Sequence, residues 1–182
     1  PVVVRRHPLD VLVSILHFAP HEPGTARWLG GAGGDERPLW EATPTSAQFL
    51  DYATGPRARA LLSVSPAWAE IDEAVVVGYE QLTSQPIEVL CRLATELGAT
   101  AVRDPREAIE LHSLARHRSV NRNQHYWRGQ PGLWRRLVTR DTADQIAAAQ
   151  PLAFRAFGYE ADADPALTPD SAAENWRQLR AA

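Results

Sequence analysis

Apolar residues in this chain fall into two short unbroken runs and several longer stretches with helical spacing. Residues 2–5, Val-Val-Val-Arg, and residues 74–78, Ala-Val-Val-Val-Gly, are apolar at consecutive positions and predict short buried strands. After the first run, Pro8 and Asp10 suit the opening turn of a helix, and Val11, Leu12, Ile15, Leu16 and Phe18 recur on one face of it. After the second, residues 85–99 predict an amphipathic helix. Ile87, Leu90, Cys91, Ala94 and Leu97 share its apolar face, and Gly98 suits the turn that ends it.

Five more helices are expected. They span residues 45–54, with Thr45 or Ser46 as cap, residues 56–71, broken at Pro66, and residues 104–118, with Asp104 as cap and Pro105 first. The last two are residues 142–159, bent or interrupted at Pro151, and residues 171–182. Residues 19–38 are rich in Gly and Pro and read as a long loop of the kind that closes over a ligand. Residues 119–132 have no periodicity and read as a second loop. The fold class that follows is α/β: a partial P-loop-like parallel sheet flanked by helices, with a helix-rich C-terminal portion. One domain is expected over residues 1–160, followed by an acidic linker and terminal helix over 161–182. Two strands do not make a sheet that stands alone, so further strands are expected upstream of Pro1.

Composition adds three constraints. The net charge of −3, from 19 basic and 22 acidic residues, gives no support to a nucleic-acid surface. All 19 basic residues are Arg, whose planar fork suits phosphate and sulfate, and no step that needs a lysine belongs to this chain alone. The one cysteine, Cys91, rules out a disulfide within the chain, argues against a zinc cluster and is expected to be a buried small apolar residue. No apolar run reaches the length of a membrane span, and a reducing, cytoplasmic setting is expected.

The opening unit, strand, turn and helix, carries the first candidate chemistry. A helix N-terminus attracts anions through its unpaired N–H groups. Arg6 stands in the turn before it, and Ser14 shares a helix face with Asp10. These residues suit a phosphate. The alternative is that Arg5 and Arg6 are solvated and Ser14 bonds its own helix.

Three segments resemble the sulfotransferases that use 3′-phosphoadenylyl sulfate (PAPS). In the first, Arg6, Asp10 and Ser14 at four-residue spacing, closed by His17-Phe18, resemble the family's 3′-phosphate-binding segment. In the second, residues 74–98 resemble its strand, Tyr-Glu-Asp-Leu and helix, with Gln81 where Asp is usual. In the third, Arg128, Gly129, Gly132, Trp134 and Arg135 fall in step with its Arg-Lys-Gly-x-x-Gly-Asp-Trp-Lys loop. There Trp127 replaces a basic residue and Leu133 an Asp. The resemblance implies that Arg6 and Ser14 bind the 3′-phosphate, that Tyr79 lies near the adenine, and that Arg128 and Gly129 belong to a loop closing over the phosphate. Asp10 would orient the turn, and the altered loop would either grip the phosphate more weakly or be compensated by Arg122. Residue by residue, core packing for Tyr79 and an ordinary surface loop for 127–135 stay open as alternatives.

The implied reaction transfers a sulfuryl group from PAPS, as co-substrate and without a metal, to a hydroxyl or amine of a small-molecule or glycan acceptor. No segment resembles the family's 5′-phosphosulfate loop or its catalytic His, so the chain is expected to be a C-terminal portion that is inactive and binds nucleotide weakly alone. None of the six histidines stands in that catalytic context. Trp28, Trp40, Phe49 and Tyr52 are candidate acceptor walls, though core packing explains them at least as well, and Arg135, Thr139 and Asp144 match a segment that some members use to form homodimers, with Arg140 where Val is expected. Two other readings stay open: a non-catalytic nucleotide-binding module and a P-loop small-molecule kinase. The kinase would need a Walker loop and a magnesium site.

Overall fold

Val2–Arg5 forms strand β1 and Val75–Gly78 forms β2, and the two run parallel with Val2 opposite Val75 and Arg5 opposite Gly78. The computed structural model describes residues 1–21, 35–120 and 127–181, with backbone alone for 118–120. Trp28, Arg122 and His125 therefore lie outside the described residues. The remaining elements are helices, so the α/β class holds: a small parallel sheet in a mostly helical chain.

Contacts divide the chain into two compact units. The first comprises Pro1–Arg6 and Ala67–Pro131. Besides the strands it holds Tyr79–Ser84, Pro86–Glu96, Pro105–Leu111 and Leu114–Val120. Gly98, at φ +59°, ends the Pro86–Glu96 helix as its spacing predicts, and Asp104 caps the next by accepting from Arg106 N at 2.8 Å. The single helix expected over 104–118 is instead two, separated at His112-Ser113, where Ser113 Oγ accepts from Arg116 N.

Burial in this unit departs from the expectation. Val3, Val77 and Val89 are its buried apolar residues, while Val2 and Val4 are 44% and 47% exposed. Alternation along a strand puts Val2 and Val4 on one face and Val3 on the other, so β1 is covered on one side among the described residues. The apolar face of Pro86–Glu96 is open as well. Leu90, Cys91 and Ala94 line a groove of about 530 Å³ with Val102, Pro105 and Ala108, and Cys91 is exposed rather than buried. Helical spacing identifies the apolar face and not what covers it.

The second unit comprises His7–Pro66 and Gly132–Ala182. Helix α1, Pro8–His21, begins at the expected proline and buries Leu9, Leu12, Val13 and Leu16. A further helix, Ala47–Thr54, packs on the helix Pro56–Leu62 and on a single turn at Arg37–Leu39, and the latter two pack with α1. Ser46 caps the first of these by accepting from Phe49 N. A helix also runs over Val64–Ala69, and its break from the preceding one falls at Ser63, with Pro66 inside its first turn. Leu133–Arg136 forms another single turn against α1, and Arg140–Ala149 and Pro151–Arg155 follow, interrupted at Gln150 as Pro151 requires.

The segment read as an acidic linker is packed: Ala163 is buried, and Arg135 bonds Asp162 through its carboxylate and its carbonyl, each at 2.7 Å. The ion pair holds the Asp162 carboxyl below its ordinary range, chiefly through the hydrogen bond from Arg135. The last helix, Pro169–Ala181, buries Ala172 and Trp176. No helix among the described residues is long and apolar enough to cross a membrane.

The two faces of β1 make opposite predictions. Val3→Ala should lower unfolding free energy by about 2 kcal/mol, the value of two buried methyl groups. Val2→Ala should cost less than about 0.5 kcal/mol. Urea denaturation of both variants checks this, and equal losses would place a cover over the Val2 face.

Candidate functional site

The parallel register decides which residues meet at the strand ends. Arg5 stands opposite Gly78, so Arg6 and Tyr79, the next residues, leave the sheet side by side at its C-terminal edge. The Arg6 guanidinium carbon lies 4.6 Å from the centre of the Tyr79 ring. The Arg6 Nε is shielded from water and has no hydrogen-bond partner among the described residues. A buried donor without an acceptor is costly and uncommon.

Tyr79 also reaches the glycine loop. Its hydroxyl donates to the Gly129 carbonyl at 3.0 Å, fifty residues along the chain. Gly129 has φ +61°, and a Cβ there would lie 2.9 Å from Leu114 Cδ2. The backbone conformation therefore favours glycine, and the end of the Leu114 side chain would have to shift to admit a Cβ. Arg128, beside it, is half-buried in the same unit. So Tyr79 touches both Arg6 and Gly129, and Arg128 stands next to Gly129 in the chain.

Ser14 and Asp10 belong to the second unit. Ser14 is half-buried on α1, and its hydroxyl has no hydrogen-bond partner among the described residues, so it does not bond its own helix. Asp10 is 1% exposed and does more than orient its own turn. One carboxylate oxygen accepts from Gly132 N at 2.6 Å and the other from Trp134 N at 3.1 Å. The C-terminal part of the glycine loop is thus held on the first turn of α1, and these two N–H groups are already used. Gly132, at φ +75°, makes the turn that aims both amides at one carboxylate.

His7 supports this arrangement. It is buried, stacks on Trp134 at 4.7 Å and meets Tyr159 edge-on at 5.0 Å. Leu9 N donates to its Nδ1, and its Nε2 lies 3.0 Å from the Glu160 carbonyl, so the ring is the neutral tautomer with its proton on Nε2.

Of the candidate acceptor walls, two take the core-packing alternative. Phe49 and Tyr52 are core residues, 0% and 7% exposed, whereas Trp40 is 43% exposed. Tyr52 donates a long bond of 3.4 Å to Glu36, whose buried carboxylate is held by Arg57 Nε at 2.6 Å. Burial, and then the neighbouring Glu36 charge, push the Tyr52 hydroxyl above its ordinary range. Nothing in the sequence marks the Glu36–Arg57 pair.

No protein-family model matches this chain, and no curated protein and no solved structure matches it.

Asp10→Asn removes one of two acceptors and sets an NH2 group against a backbone N–H. It should lower stability by about 2 kcal/mol and speed exchange of the Gly132 and Trp134 amides. Denaturant unfolding and hydrogen exchange read both. Unchanged amide protection would contradict the assignment.

Proposed function

We propose that the chain supplies the 3′-phosphate-binding end of a sulfotransferase that uses PAPS. The observation that carries this reading is Arg6: a guanidinium held over Tyr79 at the C-terminal edge of a parallel pair, with a buried donor that lacks an acceptor among the described residues. Ligands of parallel α/β sheets bind beyond the C-terminal strand ends. The Arg-fork geometry suits a phosphate dianion, and the neighbouring glycine lets backbone come close to it. The resemblance assigns the second contact to Ser14, eight residues on, whose hydroxyl has no other partner among the described residues.

In the reaction so read, an acceptor hydroxyl or amine attacks sulfur in line, the bond to the phosphate oxygen breaks, and adenosine 3′,5′-bisphosphate leaves. A base takes the acceptor proton. This chain's residues act at the far end of the nucleotide. Their binding energy fixes its position and so aligns the reacting group. No residue of this chain is assigned as the base.

The 182-residue chain should bind adenosine 3′,5′-bisphosphate in preference to adenosine 5′-phosphate. Arg6→Ala should weaken the bisphosphate about tenfold or more and leave the monophosphate unchanged. Arg5→Ala should change neither by more than about twofold. Calorimetric or NMR titration checks this, and equal losses at Arg5 and Arg6 would contradict it.

A further inference from the structure

We infer that Tyr79 is a positioning residue that sets the Arg6 guanidinium and the glycine loop in one geometry, through its ring and its hydroxyl respectively. This rests on the phosphate reading above, and it gives Tyr79 a role other than the adenine contact that the resemblance implies.

Three observations within the first unit carry it. The strand register puts Tyr79 directly after the residue opposite Arg5, so its neighbour is fixed by the ladder. Its ring face lies 4.6 Å from the Arg6 guanidinium carbon, which restricts a long flexible side chain to one plane. Its hydroxyl donates to the Gly129 carbonyl at 3.0 Å, and a Cβ on Gly129 would stand 3.5 Å from that hydroxyl oxygen.

One side chain therefore holds the cation and the loop backbone at once. The hydroxyl bond also fixes a peptide plane. In a trans peptide the C=O and the following N–H point in opposite directions, so holding the Gly129 carbonyl on Tyr79 turns the Gln130 N–H away from it. Tyrosine suits both tasks. Phenylalanine retains the ring and loses the bond, and an aliphatic residue loses both.

The test compares Tyr79→Phe and Tyr79→Leu with the wild-type chain. Adenosine 3′,5′-bisphosphate and adenosine 5′-phosphate are the probes, and thermal melts confirm that each variant is folded. The quantity read is the preference for the bisphosphate, which a loss of folded protein does not move. Tyr79→Phe should cut the preference about threefold to tenfold with the monophosphate affinity unchanged, and Tyr79→Leu should cut it further. A full preference in Tyr79→Phe, with both nucleotides weakened equally in Tyr79→Leu, would make Tyr79 an adenine platform and overturn the inference.

A wild-type chain without any preference would overturn the phosphate reading instead. The hydroxyl tie is then judged by the Gly129 carbonyl carbon resonance. A shift in Tyr79→Phe supports the tie, and an unmoved resonance overturns it. Tyr79→Phe is the decisive variant should Tyr79→Leu not fold.

Discussion

Four residue pairs in parallel register bring Arg6 and Tyr79 together, and the roles proposed for those two residues depend on them. Because both strands run the same way, both following turns leave from one edge, and the register decides which side chains meet there. A slip of one residue would move Arg6 away from Tyr79 and turn every valine to the other face. The ladder is short, and few apolar side chains are buried behind it. The contacts of Tyr79 with Arg6 and Gly129 thus add long-range ties to an edge that the strands alone hold weakly.

In the second unit a buried carboxylate plays the comparable part. Asp10 sits in the first turn of α1, where a negative charge is favoured, and spends both oxygens on backbone N–H groups more than 120 residues away. His7 and Trp134 stack beside it and exclude water, which strengthens those bonds. The glycine loop thus carries two kinds of amide. Those at Gly132 and Trp134 serve the fold, and the backbone around Gly129 is held by a tyrosine at a strand end. A phosphate grip in this loop belongs to its N-terminal half, with Arg128 and Gly129.

Local chemistry was legible in the sequence, and long-range pairing was not. Val2–Arg5 and Val75–Gly78 are strands because unbroken β-branched runs permit little else, and Pro8, Ser46, Asp104 and Gly98 mark helix ends through their own backbone preferences. Cys91 was misplaced, and Phe49 and Tyr52 stayed open between core and acceptor wall, because periodicity shows a shared face and says nothing of what lies against it. The Asp10 tie to Gly132 and the Tyr79 tie to Gly129 join residues 122 and 50 positions apart, and spacing along the chain holds no trace of them. Arg6 was a candidate from its place in the turn, and the family's spacing chose it over Arg5. The structure places its buried Nε beside Tyr79.

The central claim is that Arg6 holds a donor in reserve for a phosphate. The direct measurement is the Nε–H resonance of Arg6 in the ¹⁵N-labelled chain, followed while adenosine 3′,5′-bisphosphate or adenosine 5′-phosphate is added. The account predicts a downfield shift and slower proton exchange with the bisphosphate, and no change with the monophosphate, because only the first brings an acceptor to that atom. An Arg6 resonance unmoved by saturating bisphosphate, or moved equally by both nucleotides, would contradict it.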